Sequence, residues 1–210
     1  MIAVLREAVL DALAVLLPVA CAGCGRVDRA VCPACRAALS PHPIERVTPG
    51  GLPVAAGLAY AGVARRVVLA LKEEGRTDAA PALAAALTTA LERHPLGDLV
   101  LVPSAPASRR RRGFDPTAEI VRAAGLRATP ALRSRSAAAQ KTLGLEQRAA
   151  NRAGAMRAVR PLAGRAVVLV DDIVTSGATL DEAARAVRAA GGTVLGAVAV
   201  ASTARLLAAR

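Results

Sequence analysis

The chain has 210 residues, 54% of them hydrophobic and 21% charged, with 28 Lys+Arg against 16 Asp+Glu and a formal net charge of +12. That length suits one ordinary domain plus a small module, with enough apolar residues for a core that needs no disulfide framework, so disordered and fibrous classes are excluded. Tyr60 and Phe114 are the only aromatic residues, so base stacking is disfavoured and any contact with nucleic acid is expected to be electrostatic.

Residues 1–20 are apolar, and Ile2, Leu5, Val9, Ala12, Leu13 and Leu16 share one helical face, which predicts an amphipathic helix. Glu7, Asp11 and Pro18 interrupt the stretch. It is therefore a poor secretory or lipoprotein signal and too short to cross a bilayer, so the expectation is a cytoplasmic protein with no membrane span. Next come Cys21, Cys24, Cys32 and Cys35, two C-x2-C pairs that are all the cysteines of the chain. Two such knuckles offer four thiolates to a tetrahedral ion, which points to structural Zn2+ with Cys21, Cys24, Cys32 and Cys35 as ligands. Two disulfides in a secreted chain and an iron–sulfur cluster are the alternatives. His42 is read as a surface residue. Four prolines and two glycines between residues 40 and 53 predict a linker without regular structure. The expected domains are thus 1–45, the N-terminal helix and zinc module, and 54–210.

Within the second domain a short strand is predicted at 58–61 and a helix from Val63 to about Lys72. An alanine-rich helix over 81–91 and a buried strand over 99–102 follow. After them come a basic loop over 103–115 and a helix over 116–124. A buried strand over 166–170, a helix over 178–190 and a strand over 193–200 complete the pattern. Strands alternating with helices imply an α/β fold with a parallel sheet covered on both faces. Between residues 103 and 165 there are 14 Lys+Arg against Asp115, Glu119 and Glu146, a net of +11, while the rest of the chain is near neutral. This reads as one basic patch facing an anionic partner, with Arg109, Arg110, Arg111 and Arg112 at its centre; a solvated arginine-rich surface is the bland alternative.

The most informative run is Val167 to Leu180: an apolar strand, Asp171 and Asp172, then Thr175, Ser176, Gly177, Ala178 and Thr179 leading into a helix. Hydroxyls, a glycine and free helix N–H groups suit a phosphate, and the acid pair just upstream suits sugar hydroxyls. Neither a G-x-G-x-x-G fingerprint nor a G-K-[ST] loop occurs in the chain.

This run resembles the phosphoribosyl pyrophosphate (PRPP) signature of type I phosphoribosyltransferases, and the whole chain resembles the ComF family. The quoted matches are the four-cysteine module, the segment from Tyr60 to Lys72, Val102-Pro103, Arg111-Arg112-Gly113-Phe114, Gln140, Arg148-Ala149-Ala150-Asn151 and the DDIVTSGAT run. Where the family often has Asn-Gln after Arg-Gly-Phe, this chain has Asp115-Pro116. The resemblance implies that Asp171 and Asp172 bind the ribose hydroxyls and that Thr175, Ser176, Gly177, Ala178 and Thr179 bind the 5′-phosphate. It implies a pyrophosphate loop over 103–107 that includes Pro103 and Ser104, a mobile loop over 133–152 that includes Gln140 and Arg148, and an Arg109–Arg112 run that either neutralises pyrophosphate, meets DNA or is simply solvated. Mg2+ would accompany PRPP. The family also brings a link to DNA uptake and competence, with single- or double-stranded DNA and a competence helicase as partners. Three readings follow: a phosphoribosyltransferase of unknown acceptor, a non-catalytic PRPP-sensing accessory protein that handles DNA, and an arginine-rich nucleic-acid binder with a vestigial pocket. No general base is identifiable beside the signature.

Overall fold

A computed structural model describes residues 19–27, 29–134 and 154–204. The predicted N-terminal helix, and with it Gln140 and Arg148 of the predicted mobile loop, lie outside the described residues.

The elements, in chain order, are α1 (Pro33–Ala37), β1 (Ile44–Val47), β2 (Pro53–Ala59), α2 (Gly62–Glu73), α3 (Ala80–Leu91), β3 (Asp98–Leu101), α4 (Pro106–Arg112), α5 (Pro116–Ala123), β4 (Leu132–Ser134), β5 (Met156–Ala158), β6 (Ala166–Val174), α6 (Ala178–Ala189) and β7 (Thr193–Ser202). One sheet has the order β1-β2-β7-β6-β3; every pairing in it is parallel except β1 with β2. β4 and β5 form a separate antiparallel pair. The central strands β6 and β7 are apolar at successive positions because both faces are covered. Val168, Val170, Val198 and Val200 face a core made with α2, α3 and α5. Val167, Leu169, Ala197 and Ala199 face a second core made with α6, β4 and β5. This two-residue alternation is what pleated strands require. Gly57 sets how closely β2 approaches α3, since a Cβ there would lie 2.1 Å from the carbonyl oxygen of Ala86.

Three expectations are corrected. The segment predicted as a linker holds β1, whose four residues escape the prolines and glycines around them and add an antiparallel edge to the sheet. The predicted basic loop contains α4, which starts with Pro106 in its first turn and ends at Gly113 with φ 74°. Its four arginines lie in the last turn, where the helix dipole favours cations. Finally, β6 does not stop at Val170 but continues to Val174, so the acid pair lies inside the strand. Among the described residues no helix is long and apolar enough to cross a membrane.

Candidate functional site

The carboxyl end of β6 faces a cavity of about 250 Å³ whose walls include Lys72, Pro103, Ser104, Arg112, the acid pair and Thr179. Segments far apart in sequence meet here because β3 and β6 pair in parallel and deliver the 102–105 loop and the acid pair to the same end of the sheet. That end of a parallel sheet is where ligands bind in open α/β folds. Asp172 is buried, and its Oδ1 accepts from Lys72 Nζ at 2.9 Å. Asp171 Oδ1 accepts from the backbone N–H of Asp172 at 2.8 Å. Burial, and then the negative charge of Asp172, push the Asp171 carboxyl up to about 8.

Of the predicted ligand residues, Pro103, Ser104, Asp171, Asp172 and Thr179 thus share one cavity, while Thr175, Ser176 and Gly177 form the bend that leads from β6 into α6 and Ala178 is the first residue of that helix. Gly177 caps the start of α6 with φ 77°, and a Cβ there would lie 2.7 Å from Thr48 Cγ2. Only glycine suits both the left-handed backbone and that contact. Thr48 belongs to the β1–β2 turn. Its hydroxyl donates to Asp181 Oδ1 and accepts from the N–H of Leu52 at 3.0 Å. The N–H of Gly50 donates to Asp181 Oδ2 at 3.0 Å. A turn predicted as linker therefore buttresses the predicted phosphate loop.

The basic patch does not act as one surface. Arg112 lines the acid-pair cavity, whereas Arg109 and Arg110 line a neighbouring cavity of about 420 Å³ with Arg133. Pro103 and Ser104 belong to both walls, and among the described residues no carboxylate lines the second cavity. Arg111 Nη2 donates to Glu73 Oε2 at 2.6 Å and Arg112 Nη2 to Glu73 Oε1 at 3.0 Å. The hydrogen bond from Arg112, reinforced by both positive charges against the effect of burial, holds the Glu73 carboxyl below its ordinary range. Arg165 pairs with Asp98 at 2.7 Å. Two of these acids, Glu73 and Asp98, lie outside the 103–165 segment, so a count along the chain overstates its free charge. A third cavity, about 430 Å³ among Arg46, Val54, His94 and Leu195, is reached by none of the predicted site residues.

Sequence reasoning gives Lys72 and Glu73 no role and does not separate Arg112 from its three neighbours. The one local signal was composition: Lys72 is one of only two lysines among 28 basic residues. Asp115-Pro116, the departure from the family's Asn-Gln, starts α5. Asp115 accepts from the N–H groups of Thr117 at 3.0 Å and Ala118 at 3.3 Å, with Pro116 in the first turn. Burial raises its carboxyl above the usual range, although those N–H donors oppose the shift.

The Sγ atoms of Cys21, Cys24, Cys32 and Cys35 all lie within 4.8 Å of one another. A tetrahedron with Zn–S bonds of about 2.3 Å has edges of about 3.8 Å, so the set fits zinc. Cys24 and Cys32 already sit 3.8 Å apart. All four are free cysteines, three of them buried. At Cys21 burial favours the thiol, but N–H donors from Cys32, Gly23 and Cys24 outweigh it and bring the group down to about 6. Burial, with hydrogen bonds that its S–H donates to the other three cysteines, pushes Cys35 up to about 12. His42 is exposed and its Nδ1 lies 3.0 Å from the carbonyl oxygen of Ser40, outside the cluster.

No curated protein matches the chain. A family model, described as phosphoribosyl transferase domain, matches residues 110–207. The match begins within α4 and runs past β7, so it takes in the acid pair, the turn that follows it and the two strands at the centre of the sheet. The parallel strand that carries the paired carboxylates, and the hydroxyl-rich turn after it, lie in the part of this mixed α/β chain that is similar to a phosphoribosyl transferase domain, and a four-cysteine cluster precedes that part.

Proposed function

We propose that the protein binds PRPP in the acid-pair cavity, with Asp171 and Asp172 toward the ribose hydroxyls, Thr175 to Thr179 toward the 5′-phosphate, and Pro103 and Ser104 toward the pyrophosphate. The observation that carries this reading is the meeting of Ser104, Asp172 and Thr179, from three separate positions in the sequence, in one cavity that also holds two cations. Mg2+ would supply charge neutralisation between pyrophosphate and ribose oxygens, since it favours substrate phosphates and retained waters as ligands. Transfer would break the C1–oxygen bond to pyrophosphate, which leaves with the bonding pair while an acceptor nucleophile bonds to C1. Zn2+ held by the four cysteines would be structural, because four protein thiolates leave no open coordination position.

Calorimetric titration of the full chain with PRPP, with and without Mg2+, tests the reading. Binding that needs Mg2+ is expected. Asp172→Asn should weaken it at least about tenfold, because a charge-assisted hydrogen bond is lost. Since that change also strips Lys72 of its partner, Ser104→Ala serves as a second variant that leaves the ion pair intact. No heat with PRPP under either condition, or unaltered affinity in both variants, overturns the assignment. Release of pyrophosphate in a screen of acceptors would establish the transferase reading over PRPP sensing.

A second reading places the protein in the ComF family, with DNA as a partner. The four-cysteine cluster ahead of the transferase domain favours it, as do the exposed Arg109, Arg110 and Arg133 around a cavity that no carboxylate lines among the described residues. Contacts of this kind release counterions, so log affinity for DNA should fall linearly with log salt, and Ser at positions 109 and 110 should flatten the slope. Binding that persists at high salt counts against it. A link to competence and to a helicase rests on the family resemblance.

A further inference from the structure

Glu73 ends α2 and gives one carboxylate oxygen to each of two arginines, Oε2 to Arg111 and Oε1 to Arg112. The residue before it, Lys72, donates to Asp172 on β6. Two consecutive side chains therefore tie the end of α2 to both the acid pair and the last turn of α4. Among the four arginines of α4, Arg112 stands apart. Its side chain is 11% exposed against 67% for Arg111, it lines the acid-pair cavity, and its Nε is buried with no acceptor among the described residues. A guanidinium has five N–H donors in a rigid fork matched to phosphate oxygens. Glu73 occupies one Nη2 donor, which leaves capacity for an anion.

Arginine normally loses much side-chain freedom when it binds an anion. Here that freedom is already reduced, because Val67, Val68 and Leu71 bury α2 in the core and so fix the position of Glu73. The carboxylate is shared with exposed Arg111, so the trio keeps a net positive charge. The pair thus orders Arg112 without cancelling its charge.

We propose that Arg112 reads the diphosphate end of the ligand and that Glu73 is the positioning residue that holds it there, so that the cavity prefers a sugar diphosphate to a sugar monophosphate. The proposal rests on the PRPP reading above. The full chain is titrated with PRPP, inorganic pyrophosphate and ribose 5-phosphate, each with Mg2+. Glu73→Gln and Arg112→Lys should each weaken PRPP and pyrophosphate about three- to tenfold, as expected for losing the prior ordering or the fork. Ribose 5-phosphate should change by less than about twofold in both. A structural collapse would instead lower all three affinities together, and that outcome overturns the assignment. Pyrophosphate bound equally well or more tightly by Glu73→Gln also overturns it, because Glu73 would then only compete for Arg112. Failure of the unaltered protein to bind PRPP removes the parent reading as well, whereas PRPP binding with unaffected variants removes the Glu73 role alone.

Discussion

Asp171 accepts the N–H of the next residue while lying beside a second carboxylate, and burial followed by the charge of Asp172 raises its carboxyl to about 8. Between the ordinary carboxylate range and that value the folded chain holds a proton that the unfolded chain has released. Stability should therefore fall as pH rises through this window. Asp171→Asn removes the titrating group, so its melting temperature should decline less than that of the unaltered protein between about pH 5 and about pH 8; parallel profiles would count against this account. The acid pair was legible because it sits in a short local run, strand then carboxylates then hydroxyls. Its burial was not. A strand end at Val170 would have left Asp172 in solvent, whereas β6 continues for four residues and its partner β7 extends to Ser202, which encloses Asp172 against Lys72. Lys72 and Glu73 escaped notice because their roles depend on where α2 lies relative to α4 and β6, which no local pattern encodes.

At the scale of elements, Asp181 in the first turn of α6 is the join between the β1–β2 turn and the turn that precedes the helix. It accepts from the Thr48 hydroxyl and the Gly50 N–H, and Thr48 in turn packs where a Cβ on Gly177 would intrude. Asp181→Ala leaves Thr48, which is buried, without its acceptor. A loss of about 1–3 kcal/mol in denaturant unfolding is expected, together with weaker PRPP binding as the turn at 175–179 loosens; unchanged stability would show that solvent replaces Asp181 at no cost. The helices over α2, α3, α5 and α6 were predicted to within about two residues, as strong 3.6-residue periodicity allows. α4 was read as a loop, because its arginines carry no apolar stripe and its helical form rests on Pro106, Gly113 and the ion pairs to Glu73. β1 was hidden by the prolines on either side of it, and β4 and β5 are three residues each, too short to show alternation.

At the scale of the molecule, the cysteine cluster and the candidate ligand site share one core. Cys21, Cys32 and Cys35 are buried in the same apolar cluster as Val67 and Leu71 of α2, and Arg66 of α2 donates to the carbonyl oxygen of Gly23. Because α2 also carries Lys72 and Glu73, metal loss at one end should be felt at the other. Protein purified without added metal is expected to hold one zinc per chain by elemental analysis. Its removal by a chelator should lower the melting temperature and weaken PRPP binding, since the free energy of metal binding is then lost from folding and nothing ties the two knuckles together. Iron in place of zinc would overturn the metal assignment, whereas a chelated protein with unaltered melting and affinity would separate the two sites. The parallel sheet was legible as strand–helix alternation. The joining of cluster and sheet through α2 was not, because the two C-x2-C pairs form a self-contained spacing that says nothing about what they pack on.

The position of β7 between β2 and β6 has a consequence for the order of events at the ribosome. β2 pairs with β7 along Val54 to Ala59, and β6 pairs with the opposite edge of the same strand. Synthesis runs from the N-terminus, so β1, β2 and the cysteine knuckles emerge first as one piece, and β3 with β6 as another. Each piece exposes a bare strand edge to the other and to neighbouring chains. Residues 193–202 then enter as the wedge that joins them. The nascent protein is thus most vulnerable to wrong pairing after its acid pair has been made and before its last strand arrives, and early capture of a metal by the first piece would shorten the list of partners left to choose.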